Sequence, residues 1–477
     1  GIDYLVVEKN QGVGGTWYEN TYPGARVDVA SRSYSYSFEP SYPWEHHYAL
    51  QPEITGYFDY VADKYGLAEH IRFETEVESA RWLEADGLWE VRLRSTATGD
   101  VDTVVVNAIV SAVGLFNRPK EPDLEGLEDF AGHLVHTSKW DHDYDLAGKR
   151  VALIGTGASG TQLVAGIAPL VSSLSIFQRA GTWVSNLPNY TDQIHATERW
   201  LIQHFPYYVN WVRILTTYSL SDKRLPIYDV DEDWDDLDSV SEINHKMRTS
   251  LVDYMMGQIG DRPDLVAKCV PTYPVMAKRL PKDNGWFQAL KRDNVDLVVE
   301  AIDRITETGV RTVDGVDHDV DLLVLATGFR VNDFLWPMRI EGTDGVTLEE
   351  AWQKDGARAY LGITIPGFPN LFCMYGPNSN SKSGGICMWG EFQARYLTLC
   401  MKYLIEHDRR SLSVRPEVFD EFNRTLDDRL RNAVWLDPRQ VSYYRNAFNR
   451  VATNAPWATL EYWQMTREPA LEDFVVT

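Results

Sequence analysis

Residues 150–160 read Arg-Val-Ala-Leu-Ile-Gly-Thr-Gly-Ala-Ser-Gly, an apolar run that passes straight into Gly155, Gly157 and Gly160. Glycines at this spacing, after a strand and opening a helix, permit a tight turn. They also let backbone N–H groups at the helix N-terminus approach a pyrophosphate. The positions expected in contact are Gly155, Thr156, Gly157, Ala158, Ser159, Gly160 and Thr161. A chance glycine cluster in a loop explains neither the strand before it nor the apolar helix after it. The next strand, Leu174–Phe177, ends in Gln178-Arg179. An NAD site usually presents an acid there, about 20 residues after the glycines. A cation suits the 2′-phosphate of NADP through charge-assisted hydrogen bonds. Lys278 is a candidate second phosphate partner; the bland reading of Arg179 is a solvated strand end.

Other segments extend the same class. Tyr4–Glu8 reads as a buried parallel strand ending in an acid, followed by the turn Gly12-Val13-Gly14-Gly15. Leu83–Leu93 and Thr103–Val110 read as further strands, and strand patterns return from Val295 to Phe329. From about Asn189 to Val270 the texture turns aromatic and acidic with helical spacing, which predicts a helical insertion; a long helix is expected over Glu391–Glu406. Strands alternating with helices predict an α/β fold of two dinucleotide-binding (Rossmann-like) domains. Glu8 sits where a ribose-binding acid belongs, yet no GxGxxG precedes it. A βαβ unit spans about 30 residues, so the first strand and glycine loop are expected to be missing through an N-terminal truncation of about 30–40 residues. A natural variant with a damaged first site is the alternative.

The 477 residues, 44% of them hydrophobic, suffice for two or three domains. A formal net charge of −23 without a basic stripe argues against a nucleic-acid partner, and it leaves any phosphorylated ligand dependent on local cations. Cys269, Cys373, Cys387 and Cys400 form no CxxC, no CxxxxC and no zinc-type spacing, so no metal is expected and a disulfide reductase is disfavoured. No apolar run reaches the ~18 residues of a membrane span. These features give the expectation of a cytoplasmic protein, monomeric or homodimeric.

Two long motifs narrow the family. Gly15-Thr16-Trp17-Tyr18-Glu19-Asn20-Thr21-Tyr22-Pro23-Gly24-Ala25-Arg26-Val27-Asp28 matches GxWxxxxYPGxxxD at every fixed position. Phe130-Ala131-Gly132-His133-Leu134-Val135-His136-Thr137-Ser138-Lys139-Trp140-Asp141 matches FxGxxxHxxxW followed by Pro or Asp. Together they resemble the type I Baeyer–Villiger monooxygenases, class B flavoproteins, over nearly the whole chain. Asp283-Asn284-Gly285-Trp286-Phe287, Tyr375-Gly376-Pro377-Asn378, Trp457 and Tyr462-Trp463 are similar to the 4-hydroxyacetophenone monooxygenase branch.

The resemblance implies oxidation of ketones, aryl or bulky cyclic, to esters or lactones with O2 and NADPH through a C4a-peroxyflavin. It implies FAD and NADP as cofactors, and a first FAD segment over 1–140. It places an NADP domain over 141–328 with the insertion at about 189–270, and a second FAD segment with a mobile C-terminal loop over 329–477. Arg279 resembles the catalytic arginine and Asp28 the carboxylate that holds it. Glu8, Gly15, Thr16, Trp17, Asp28, Val29, Tyr34 and Val77 are the implied FAD positions. Phe130, Gly132, His136 and Trp140 read as a hinge that senses NADP, with a satisfied structural histidine as the plainer reading of His136. Asp321 and Thr327-Gly328 resemble the return to the FAD domain. Two residues depart from the pattern: Ala180 replaces a threonine after Arg179, and Tyr443 replaces a tryptophan in Ser442-Tyr443-Tyr444. The rival readings are an S- or N-oxygenating flavin monooxygenase, and a homologue without FAD or activity.

Overall fold

The structure, a computed structural model, describes residues 2–219 and 221–477. Gly1 and Leu220, the latter inside the expected insertion, lie outside the described residues. The central layer is a five-stranded sheet. β1 (Val6–Val7), β2 (Ile71–Arg72), β3 (Thr75–Leu83), β4 (Leu88–Ser95), β5 (Val101–Val106) and β6 (Ile109–Ser111) precede it in the chain. β7 (His133–His136), β8 (Arg150–Ile154), β9 (Ser173–Phe177) and β10 (Val295–Val298) belong to it. β11 (Ile302–Thr306), β12 (Gly309–Thr312) and β13 (Asp317–Asp319) form an antiparallel side sheet before β14 (Leu322–Leu325) completes the central one. Its order is β10-β9-β8-β14-β7, and every pair is parallel. Val151, Ala152, Leu153 and all of β14 are buried, the continuous apolar run that helices on both faces require.

α1 (Thr16–Glu19) and α2 (Gln51–Lys64) lie in the first segment, and α3 (Ala158–Ile167) covers the central sheet. α3 buries Leu163, Val164 and Ile167 completely against Leu153, Ile176 and Phe287. At roughly 1.5–3 kcal/mol per fully buried aliphatic side chain, these three residues anchor the helix. The insertion is helical as expected: α4 (Ala196–His204), α5 (Tyr208–Ser219), α6 (Glu242–Ile259) and α7 (Pro263–Cys269). α8 (Trp286–Leu290) follows and packs on α3. The last third holds β15 (Arg339–Glu341), α9 (Leu348–Ala351), β16 (Leu371–Cys373), α10 (Ile386–Glu406), β17 (Leu412–Val414), α11 (Pro416–Leu430), α12 (Thr459–Met465) and β18 (Phe474–Val476). β15 pairs with β3, and β16 with β6, so the end of the chain returns to its beginning. Among the described residues, no helix is long and apolar enough to cross a membrane.

Four expectations need correction. Tyr4–Glu8 is not a buried strand: only Val6–Val7 pair, with β2, and Tyr4, Leu5 and Val6 are 50%, 43% and 43% exposed. An apolar run predicts a strand, but burial depends on a cover that the local sequence does not encode. Leu83–Leu93 is not one strand. It spans the turn between β3 and β4, where Gly87 takes φ +67° and reverses the chain. Thr103–Val110 likewise divides at Asn107-Ala108 into β5 and β6, which pair in different sheets. The long helix begins at Ile386, after Gly385 with φ +83°, five residues earlier than expected.

Candidate active site

The first motif is built around close backbone contact with α3. Gly24 has φ +86°, and a Cβ there would lie 2.7 Å from Gln162 O; a Cβ on Gly166 would lie 2.9 Å from Pro23 O. With glycine at both points, the Tyr-Pro-Gly turn lies directly on the helix. Gln162 then bridges the two: it accepts from the Tyr22 hydroxyl at 2.9 Å and donates to Arg26 O at 3.0 Å. Burial pushes the Tyr22 phenol up to about 12, so it stays protonated as the donor. This docking carries Asp28 to the edge of α3.

Arg279 arrives from the other side. Its segment runs into α8, whose N-terminus is capped by Asp283 through the N–H groups of Gly285 at 2.9 Å and Trp286 at 2.8 Å. Asn284 donates to Gln162 O at 3.1 Å, tying that cap to α3 as well. α3 thus positions both partners. Arg279 Nε donates to Asp28 Oδ2 at 2.9 Å, and Nη2 donates to the same oxygen. In sequence, only a family resemblance pairs these residues; the structure joins them across 251 positions.

The pair is partly open to solvent, with 47% of the Arg279 side chain and 22% of the Asp28 side chain accessible. Burial pushes the Asp28 carboxyl up, but the charge and hydrogen bond of Arg279, then the charge of Lys282, outweigh it and hold the group below its usual range. The Asp28 charge outweighs burial at Arg279 and raises that group well above its usual value. Both therefore stay ionised through the neutral range. Tyr444 lies beside Arg279, and its neighbour Tyr443 is held through its carbonyl by Asn332 Nδ2 at 3.0 Å. The C-terminal loop is thus packed against the cation in this structure.

The glycine loop after β8 has the expected form. Gly155 takes φ +106°, and a Cβ there would lie 2.6 Å from Ala326 O; a Cβ on Gly160 would lie 2.2 Å from Gly155 O. A Cβ on Gly157 would meet nothing within 4 Å, and α3 begins there with no side-chain cap. Two glycines close the loop and the third faces open space, a cradle that fits a pyrophosphate. Arg179 and Lys278 stand close enough for the Arg179 charge to add to burial in lowering Lys278. Neither has a carboxylate partner among the described residues; Lys278 lies 4.5 Å from the Tyr273 ring centroid. Two neighbouring uncompensated cations fit a phosphate. Ala180 packs among apolar neighbours, while Thr182 donates to Thr156 O at 2.8 Å, so a hydroxyl reaches the loop from two residues further on.

The positions expected for FAD form a second group. Glu8 Oε1 accepts from Asn10 N at 2.8 Å, and Thr75 N donates to Glu8 O at 3.0 Å. Gly15 takes φ +50° with open space at its Cβ, and Trp17 Nε1 donates to the Tyr34 hydroxyl at 2.8 Å. Val77 packs with Val7 in the core of the β3–β4 hairpin, near Glu8 and apart from Asp28. Thr16 and Val29 are half-buried beside these groups. The donors, the acid and the open glycine fit a dinucleotide, and Ser111 Oγ at the end of β6 is buried with no hydrogen-bond partner among the described residues.

The His136 ring is bonded through both nitrogens. It bonds Ser138 Oγ at 2.9 Å and Gly328 O at 3.1 Å, and burial lowers its pKa, so it is neutral. It joins the two segments that cross between the chain's halves, where Thr327 also donates to Lys120 O at 2.6 Å. Gly132 is required there: a Cβ would lie 2.5 Å from the Phe130 ring and 2.9 Å from Asp321 O. Trp140 packs on the central core.

Lys282, absent from the sequence-based site, stands within electrostatic reach of both Asp28 and Arg279. A lysine in a Lys-Arg-Leu-Pro-Lys-Asp run reads as solvated surface, and only the fold shows otherwise.

The chain matches the flavin-binding monooxygenase-like family over residues 6–217. It is 36% identical to an uncharacterised monooxygenase of Sinorhizobium fredii, over 99% of this chain and 72% of that protein. It is 35% identical to a Baeyer–Villiger monooxygenase of Streptomyces coelicolor, over 99% of this chain and 88% of that protein. Among solved structures, OTEMO in complex with FAD and NADP superposes with a TM-score of 0.87 at 26% identity, covering 100% of this chain and 95% of the other. With its Tyr-Pro-Gly segment docked on α3 and its Asp28–Arg279 pair assembled, the chain belongs to the Baeyer–Villiger monooxygenases of the flavin-binding monooxygenase-like family.

Proposed function

We propose that the protein oxidises ketones, aryl or bulky cyclic, to esters or lactones: ketone, O2, NADPH and a proton give ester, NADP+ and water. The observation that carries this reading is the Asp28–Arg279 pair, a fixed, ionised guanidinium that is partly open to solvent. FAD, reduced by NADPH, supplies the electrons that activate O2. The remaining work falls to the chain. Glu8, Gly15, Thr16, Trp17, Val29, Tyr34 and Val77 would hold FAD, while the 155–161 loop, Arg179 and Lys278 would hold NADP. Arg279 presents a permanent positive charge to the oxygen on which negative charge develops, and Asp28 holds it in place. Arginine suits this task because it keeps its charge when partly buried. The crossing at His136, Gly328 and Thr327 supports an FAD domain made of 1–140 and 329–477 around an NADP domain of 141–328.

The test is conversion of an aryl methyl ketone under 18O2 with NADPH. One labelled oxygen in the ester supports the reading; NADPH-dependent sulfoxidation with no ester would overturn it. Coenzyme choice supplies a separate prediction. Arg179→Ala and Lys278→Ala should each raise the KM for NADPH about 10- to 100-fold, the worth of one charge-assisted hydrogen bond, and leave that for NADH unchanged. Steady-state kinetics with both coenzymes decide it, since equal losses would remove the 2′-phosphate assignment.

A further inference from the structure

We propose that Lys282 is a positioning residue of the Asp28–Arg279 pair, its ammonium held against Ser185 so that it supplies the pair with a second positive charge. The inference rests on the ketone-oxygenating reading. Its geometry begins with a segment that has little freedom. Ser185 and Lys282 face each other in a parallel bridge. Ser185 N donates to Pro281 O at 3.0 Å, and Asp283 N donates to Ser185 O at 3.0 Å. Lys282 Nζ donates to Ser185 Oγ at 2.9 Å, which points the ammonium along the bridge.

The charges around it are few. Asp28 faces it from the Tyr-Pro-Gly segment, Arg279 from its own segment, and Arg224 from the turn at Asp222–Tyr228. Asp283, the adjacent carboxylate, is engaged elsewhere: it accepts from Gly285, Trp286 and the Tyr254 hydroxyl. Among the described residues Lys282 has no carboxylate within ion-pair distance, and the negative charge that acts on it is Asp28, which is hydrogen-bonded to Arg279. Both Arg279 bonds end on Asp28 Oδ2, and Oδ1 has no side-chain hydrogen-bond partner among the described residues. After Arg279, Lys282 is the other cation that lowers the Asp28 carboxyl.

One carboxylate bonded to Arg279, with the Lys282 ammonium acting on it from a distance, leaves a surplus positive charge at the reacting centre. A reaction that develops an oxyanion benefits from that surplus. Arginine never releases its charge, but lysine does. Burial lowers the Lys282 ammonium to about 8, opposed by Asp28 and reinforced by Arg279 and Arg224. The surplus is present below that value and gone above it.

The experiment uses the holoenzyme with Lys282→Met, Lys282→Arg and Ser185→Ala, and follows kcat for ester formation between pH 6 and 10. Wild type should lose about tenfold through a limb near pH 8, less than loss of a direct oxyanion donor costs. Lys282→Met should run at the wild-type alkaline rate throughout and lack that limb, Lys282→Arg should restore the neutral rate without it, and Ser185→Ala should shift it to lower pH. Thermal unfolding gives a readout independent of turnover. A lysine whose folded pKa lies below its unfolded value costs stability at neutral pH, and the cost fades as pH rises towards 10.5. Lys282→Met should therefore melt higher than wild type at pH 7 and level with it near pH 10.5. An unchanged limb in Lys282→Met, failure of Lys282→Arg to restore the rate, or a melting difference independent of pH would overturn the proposal. Absence of any ester from the wild type would instead overturn the ketone reading.

Discussion

Arg279→Ala is expected to lower kcat for ester formation by about 10²–10³-fold, the usual cost of removing one preorganised group that stabilises a developing oxyanion. The loss should exceed that of any other single substitution here, because it does two things at once. It removes the permanent cation at the reacting centre, and it strips Asp28 of both hydrogen bonds that hold its carboxylate ionised against burial. Among the described residues, Lys282 remains as the other cation that lowers that carboxyl. Arg279→Lys should recover part of the rate and not all of it, since an ammonium cannot reproduce the two guanidinium bonds to Oδ2. Flavin content measured from the visible spectrum should be unchanged in both variants, and product chromatography reports the rate. Ester formation within a factor of a few of wild type in Arg279→Ala would remove Arg279 from the chemistry.

Gly160→Ala and Gly157→Ala should separate two kinds of glycine in one motif. At Gly160 a methyl group would sit 2.2 Å from Gly155 O, and Gly155 is itself closed against Ala326 O. Neither backbone has room to move, so the substitution should destabilise the protein by about 1–3 kcal/mol and weaken NADPH binding with it. At Gly157 the methyl enters open space, and the melting temperature should not change. That open space is where a pyrophosphate would approach the first turn of α3, so NADPH affinity should still fall, by about tenfold or more. Differential scanning calorimetry and NADP+ titration of both variants form the test. If Gly157→Ala binds NADP+ like wild type, the cradle does not hold the coenzyme.

Much of the site was legible because some local backbone conformations admit few residues. Gly155 and Gly160 announce a loop that only glycine can close, and β8 and α3 form where the apolar pattern places them. Gly24 and Gly132 are readable for the same reason, since each allows an approach that a Cβ would block. The edge strand at Val6–Val7 and the hairpin inside 83–93 were misread because apolar residues alone report neither what covers a strand nor where it reverses. Lys282 escaped notice because a lysine beside other charged residues has no local mark of burial.

The sequence by itself determined which dinucleotide-type units the chain can build and which residue types stand at their turns, because those features depend on backbone sterics and on periodicity within some 30 residues. It did not determine that Asp28 meets Arg279, that Tyr444 lies beside them, or that Lys282 adds a second cation to the pair. Gln162 on α3 carries the Tyr-Pro-Gly turn on one side and the α8 cap on the other, which brings Asp28 and the Arg279 segment together. Charge interactions across 250 positions depend on distance and burial, and only the packing of the tertiary structure sets either one.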